Sequence, residues 1–257
     1  MAQYAARAIT NKARLSSAQV FFQPEGSTKL YNLGNVSELV YTPEIQEWED
    51  WSRQHGAKTL IGTYPVQKGA TVTLSTLSWT EIVYKLMYVS DGGYVEQSEV
   101  TSEEFIFDAP AAGDIYRVPV RGGEVDSADD GGEIEPIEWV EGTHFTFHSP
   151  SGFVEILAVP EGASKLVLTV SAPAITDADK LLALDIMESN GVTGRLVAVG
   201  TNQVGAKGEL EIGRVKFLPS QGIASVGGDE GDTAGLTGRV YADENGKYGT
   251  WTAYETV

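Results

Sequence analysis

Glycine and proline punctuate this chain, 29 and 10 of them among 257 residues, so the elements between them are mostly short. Ala18–Phe22, Glu104–Phe107, Ile115–Val120, His144–His148, Gly152–Leu157 and Lys165–Val170 are brief runs, alternating or continuously apolar and bounded by turn formers. Runs of this kind read as strands. The pattern predicts a mainly β protein, and the length suits one large β domain or two small ones.

The densest set of local signals lies between Gly34 and Gly93. Ser78 followed by Glu81 has the spacing of a capping box, and Trp79, Ile82, Val83, Leu86 and Met87 recur at intervals of three and four, which predicts one helix at about 78–90 covering a sheet. Upstream, Thr42–Gly56 carries conflicting code. Thr42 as N-cap, Pro43 at the first helical position, acids early, Arg53 and His55 late, and Gly56 as stop favour a helix on local grounds. The other reading is an extended excursion between two strands.

Elsewhere the organisation is strand and turn. Leu182, Leu184 and Ile186 alternate with their neighbours, and Asn190-Gly191 suits a tight primed turn, so residues 182–200 read as a hairpin in preference to a helix capped by Thr176 and Asp179. In Lys207–Leu218 the apolar face switches from Leu210 and Ile212 to Val215 and Phe217, which predicts a bulge at Gly213 serving two packing surfaces. Glu209 and Glu211 share the face opposite Leu210 and Ile212. Residues 124–141 hold eight carboxylates and no base, and read as a solvated, mobile loop.

Eighteen basic against 36 acidic residues give a net charge of −18. Such a surface repels phosphate, which argues against gripping nucleic acid but not against letting it slide past. Solubility is the plainer reading of the same charge. With no cysteine, neither disulfides nor thiolate metal sites are available. No secretory signal and no membrane span is evident, so a soluble protein made in the cytoplasm is expected.

Candidate chemistry is thin. His144 and His148 share a strand face but bring no third ligand, and Asp126, Asp129 and Asp130 fit no calcium loop. No pair of carboxylates is singled out for hydrolysis, and phosphate loops and nucleophile elbows are absent from the sequence. The expectation is a protein that is not an enzyme and uses no cofactor or metal. Trp48 and Trp51, three apart in a charged protrusion, are core anchors, platforms for a sugar, or hot spots of an interface.

The run Leu33–Ile45, then Gly56–Leu60 and Gly69–Ser75 before a helix, resembles the tail tube (major tail) proteins of long-tailed non-contractile bacteriophages. A second block is similar in the same order: Gly194–Asn202, Gly208–Pro219, the Gly222–Asp232 loop and Leu236–Asp243. Glu141–Leu157 resembles a β element commonly inserted in such proteins. The resemblance spans about residues 18–254 and rests on order and spacing.

The resemblance implies a β-sandwich or half-barrel with one flanking helix, residues 1–17 as an N-terminal arm, and 18–257 as a single domain with a β insertion at about 94–175. It also implies hexameric rings stacked into a hollow tube in the virion. Partners would be further copies of the chain, a tape measure protein inside, and tail tip and tail terminator proteins at the ends, with DNA passing transiently. The segment 42–61 would be an extended loop stacking one ring on the next, which turns the reading of 42–56 from helix to extended. Glu44, Glu47, Trp48, Glu49, Asp50, Trp51, Arg53, His55 and Lys58 are then the stacking residues, and Glu209 and Glu211 the candidates for the lumen. The alternative is a carbohydrate-binding β-sandwich, an adhesin or decoration module, with Trp48 and Trp51 stacking on sugar rings.

Overall fold

Along the strand Ala57–Thr76 the last turn-free stretch buries Ala70, Val72, Leu74 and Thr76 and leaves Thr73 exposed, the period of two by which a sheet covers a core with one face. The computed structural model describes residues 16–132, 135–202, 207–224 and 231–254, and it is mainly β with antiparallel sheets. The chain divides into two units, residues 1–92 with 184–257, and residues 93–183.

The first unit opens with β1 (Ala18–Pro24), β2 (Tyr31–Asn32), β3 (Val36–His55), β4 (Ala57–Thr76) and α1 (Glu81–Tyr88). The second contains β5 (Gly93–Tyr94), β6 (Val100–Asp108), β7 (Ile115–Arg117), β8 (Glu124–Asp129), β9 (Phe145–His148), β10 (Phe153–Ile156), β11 (Lys165–Ala172) and β12 (Leu182–Ala183). The chain then returns to the first with β13 (Val192–Gly200), β14 (Gly208–Pro219), β15 (Ala234–Val240) and β16 (Thr250–Ala253).

In the first unit the strands form one sheet in the order β2-β1-β13-β14-β15-β4-β3, with β16 pairing β14. Ile82, Val83, Leu86 and Met87 of α1 are buried in the same cluster as Phe22, Leu74, Leu196, Ile212, Phe217 and Leu236. The helix therefore covers the sheet, as its apolar stripe predicts. Phe22 and Phe217 meet edge to face at 5.4 Å in the middle of this core. Gly34 has φ +78, and a Cβ there would lie 2.2 Å from the Ser78 Cβ, so this crossing of two loops admits only glycine.

The second unit is a small β-sandwich. Sheets β7-β10-β9 and β6-β11-β8 contribute Phe145, Val154 and Ile156 from one and Leu166, Leu168 and Val170 from the other to a single core that also buries Trp139. Its two ends meet, since Leu182 pairs with Tyr94 and Ala183 with Gly93. Residues 93–183 hold 18 acidic and 4 basic side chains, so −14 of the chain's −18 resides in this unit. Among the described residues the ion pairs Lys85–Glu81, Arg195–Glu211 and Arg214–Glu25 all belong to the first unit.

Thr42–His55 keeps the extended reading that the resemblance implies, against its local helix code, and runs along the outer part of β3. Several sequence expectations change. Ser78 does not cap α1, which starts at Glu81 after Thr80; the Ser78 hydroxyl instead accepts from the Asn35 N–H at 2.8 Å. Residues 182–200 are not a hairpin. β12 pairs with β5, and β13 lies between β1 and β14, while Thr176 and Asp179 do form a capping box on the short helical turn Asp177–Asp179. The acidic stretch 124–141 is not one loop: its first residues are β8, and Trp139 is buried.

The bulge at Gly213 is present, because Leu196 pairs with Ile212 and Gly194 with Val215, leaving Gly213 and Arg214 opposite Arg195. It does not serve two cores. The extra residue resets the alternation so that Ile212, Val215 and Phe217 all face one core, and what changes is the neighbour: β16 along Gly208–Glu211, β15 along Val215–Pro219. Residues 1–15 of the expected arm and 225–230 of the Gly222–Asp232 loop lie outside the described residues.

Candidate interaction site: the β3–β4 hairpin

β4 pairs with β15 only from Ala70 to Thr76, whereas β3 and β4 continue to pair with each other out to His55 and Ala57. Beyond Pro43 and Gly69 the two strands therefore leave the sheet as a free-standing ribbon of roughly 40 Å. Its sequence explains why it stays a ribbon. Pro43 lies on the edge strand of the sheet and Pro65 on the ribbon, both without a strand on the far side, where proline is tolerated, and Gly56 turns the tip at φ +79. Register shifts between Gln46 and Glu47 and between Asp50 and Trp51 add twist that suits a long two-stranded element.

Every large apolar side chain of the ribbon is open to solvent: Ile45, Trp48, Trp51, Leu60, Ile61, Tyr64 and Val66 are between 45% and 66% exposed. Trp48 pairs with Tyr64 across the strands at 5.9 Å between rings, and the Trp51 indole N–H donates to the Glu49 carboxylate at 3.0 Å. These contacts hold the tryptophans in place without covering them. Trp48 and Trp51 are thus not core anchors.

The charged residues take the following places. Glu44 stands opposite Gly69, Glu47 opposite Pro65, Glu49 opposite Thr63 and Asp50 opposite Gly62, while Arg53 and Lys58 flank the tip and His55 pairs with Ala57 through its backbone. Glu44, Glu47, Glu49, Arg53 and Lys58 are exposed and Asp50 is half-buried. The structure brings all nine stacking candidates onto one hairpin. The return limb residues Leu60, Ile61, Tyr64 and Val66, together with Ile45, complete the apolar surface and were not singled out from sequence. The sequence signal was only their apolar character, since their exposure follows from β4 having no second strand partner before Ala70.

Glu209 and Glu211 lie elsewhere, on the face of β14 opposite buried Ile212. Glu211 is paired with Arg195, Nε and a terminal nitrogen at 2.9 and 2.8 Å, and Glu209 accepts from the Tyr254 hydroxyl at 3.2 Å. The neighbouring carboxylate, after desolvation, helps hold the Tyr254 phenol above its ordinary pKa. His144 and His148 are each engaged locally, His144 Nδ1 accepting from the Val140 N–H and His148 Nδ1 meeting the Ser151 hydroxyl. Asp126 accepts from the Ser102 and Ser171 hydroxyls, Asp129 from the Gly131 N–H, and Asp130 from the Gly132 and Ile137 N–H groups. Among the described residues no group of three His, Asp or Glu side chains is placed to hold a metal ion, and no helix is long and apolar enough to cross a membrane.

The described residues form a mainly β fold from which the β3–β4 ribbon projects, and comparison gives the family. Residues 16–252 match the family described as protein of unknown function UCP028589, and the chain belongs to that family. No curated protein matches it.

Proposed function

We propose that this chain is a structural subunit that assembles with copies of itself into stacked rings, forming the hollow tail tube of a long-tailed phage, with no catalytic role. The observation that carries the reading is the β3–β4 ribbon: seven large apolar side chains held out to solvent on an element that pairs with no third strand among the described residues. Burying one such side chain against a partner stabilises by roughly 1.5–3 kcal/mol, so a ribbon seated on a neighbour is strongly favoured over one in water.

Charge supports the same use. The four acids Glu44, Glu47, Glu49 and Asp50 lie on the outgoing limb and Lys58 and Lys68 on the return, so a neighbouring copy can meet the ribbon with opposite charge. In a closed ring the edges of the large sheet are paired by neighbours. Glu209 and Glu211 remain the lumen candidates, but Arg195 offsets Glu211, and most of the excess acid belongs to residues 93–183. A weakly acidic wall still leaves DNA without basic contacts to hold it.

The test is sedimentation of the purified chain over a concentration series beside a Trp48→Ser, Trp51→Ser variant. The reading expects concentration-dependent assembly of the wild type and its loss in the variant. Equal behaviour of the two, or binding of glycan arrays through the same tryptophans, overturns it.

A further inference from the structure

We infer that Asn190 is a site of spontaneous covalent modification, at which the backbone expels the side-chain amide and leaves an aspartyl or isoaspartyl residue, while the fold protects the chain's other Asn-Gly pair, Asn245-Gly246. The inference is independent of the assembly reading. The chemistry belongs to the dipeptide. The Gly191 nitrogen attacks Cγ of Asn190 and gives its proton to solvent, a C–N bond forms, and the side-chain nitrogen departs as ammonia. Water then opens the cyclic imide at one or the other carbonyl, so the net change is water in and ammonia out. A following glycine favours the attack, because it has no Cβ to shield the nitrogen and turns freely toward the side chain. Asn190-Gly191 and Asn245-Gly246 are the two such pairs in the sequence, and their surroundings differ.

At Asn245 the turn is closed. The Gly246 N–H donates to the Asp243 carbonyl at 2.9 Å, the Asp243 carboxylate accepts from the Asn245 and Lys247 N–H groups at 2.9 and 2.8 Å, and the Asp243 N–H donates to the Lys247 carbonyl at 2.8 Å. Attack by the Gly246 nitrogen must first break its own bond and turn the peptide out of this network. Asn190 is placed otherwise. It is exposed and lies in the link before β13, outside any strand ladder. The link is pinned on both sides: the Ser189 N–H and hydroxyl donate to the Val89 carbonyl at 3.0 and 3.2 Å, and Val192 pairs with Phe217. Between these anchors the Gly191 N–H has a single long contact, to the Ser189 hydroxyl at 3.4 Å, and no hydrogen bond among the described residues holds the Asn190 side chain. The attacking nitrogen therefore gives up little, and its approach to Cγ is intramolecular.

A cation stands beside this link. A Cβ at Gly191 would fall 2.8 Å from Cε of Lys216, so the Lys216 chain runs against the glycine. Its ammonium stabilises the negative charge that develops during the attack, and afterwards it pairs with the new carboxylate. The acids of the same loop are Asp185 and Glu188, and Glu188 is engaged with the Ser90 hydroxyl at 3.4 Å. The two products differ in consequence. An aspartyl residue keeps the backbone and adds one negative charge. An isoaspartyl residue lengthens the backbone by a methylene where Gly191 is seated against the Phe217 carbonyl and Leu218, just before the chain enters β13.

The experiment uses the full chain, incubated at mildly basic pH both folded and in urea. Peptides covering the two pairs are followed by mass spectrometry for the exchange of amide for acid, and isoaspartyl residues are counted by enzymatic methylation. In the folded chain Asn190 should convert at least about tenfold faster than Asn245, the factor that about 1.4 kcal/mol of added barrier gives. In urea the two rates should converge, because neither backbone arrangement persists and both asparagines precede glycine. Asn190→Gln should stop conversion in its own peptide and leave the rate at Asn245 unchanged. Lys216→Met should slow conversion at Asn190 several-fold in the folded chain and not in urea. Conversion of the folded chain at Asn245 as fast as at Asn190, or a ratio of rates that persists in urea, overturns the inference. An unchanged folded-chain rate in Lys216→Met overturns the role given to Lys216.

Discussion

Trp48 and Tyr64 face each other across the β3–β4 ribbon, ring centroids 5.9 Å apart and tilted by 31°, yet each remains more than half exposed. The pair stiffens the ribbon by an amount typical of cross-strand aromatics, about 0.2–1 kcal/mol, and leaves both outer faces free for a partner. Trp48→Ser should therefore change the unfolding free energy of the isolated chain by less than about 1 kcal/mol while weakening self-association at least about tenfold. Urea unfolding and sedimentation equilibrium on the same preparations measure the two effects separately.

Core substitutions should behave in the opposite way. Phe217 and Leu236 are fully buried in the first unit, and truncating either to alanine should cost about 3–5 kcal/mol, a loss seen directly in urea unfolding. Ile45→Ser, on the ribbon, should leave the midpoint within about 0.5 kcal/mol of wild type.

Two glycines with different surroundings separate steric need from bulge geometry. A Cβ at Gly34 would overlap Ser78 and sit at positive φ, so Gly34→Ala should destabilise by more than about 1 kcal/mol. Gly213 has open space and no left-handed φ, so Gly213→Ala should be neutral or stabilise by up to about 1 kcal/mol. Thermal unfolding of both variants decides whether the bulge needs its glycine.

Asp179 caps its short helical turn, accepting from the Thr176 N–H at 2.8 Å and hydroxyl at 3.1 Å, and these bonds hold its carboxyl below the ordinary aspartate pKa. A depressed folded pKa means the stabilisation is fully present above the unfolded value and is lost as pH falls through the folded one. The Tm difference between wild type and Asp179→Asn should shrink as pH is lowered through that window. A difference that stays constant across it contradicts the capping role.

Residues 93–183 carry their own core, and their ends pair with each other, so this segment should fold when produced alone, with one cooperative transition. Its net charge of −14 should make that transition rise in temperature as salt is added, because screening weakens the mutual repulsion of its carboxylates. Calorimetry in low and high salt measures both points.

What could be read from residues alone was the part fixed by local period. The apolar stripe Ile82, Val83, Leu86 and Met87 placed the helix, and the parity switch around Gly213 placed the bulge. Segments whose state depends on a distant partner were not legible. Thr42–Gly56 carries helix signals in Pro43 and the spacing of Trp48 and Trp51, but pairing with the return limb supplies a ladder along most of its length and prevails. Asn190-Gly191 suits a hairpin turn, yet Leu182 finds its partner in Tyr94, far back in the chain. The acidic start of 124–141 is held as a strand by β11, whose apolar residues no local count of charge could reveal. The return limb of the ribbon was missed for the same reason: its exposure follows from the absence of a neighbouring strand, a property of the fold and not of the segment.

The most direct test of the central claim is an electron cryo-microscopy map of the protein after assembly at high concentration. The account predicts hollow tubes of stacked rings in which Trp48 and Trp51 of each copy are buried against the next layer. A map of any assembly in which residues 42–61 project into solvent and touch no other copy contradicts it.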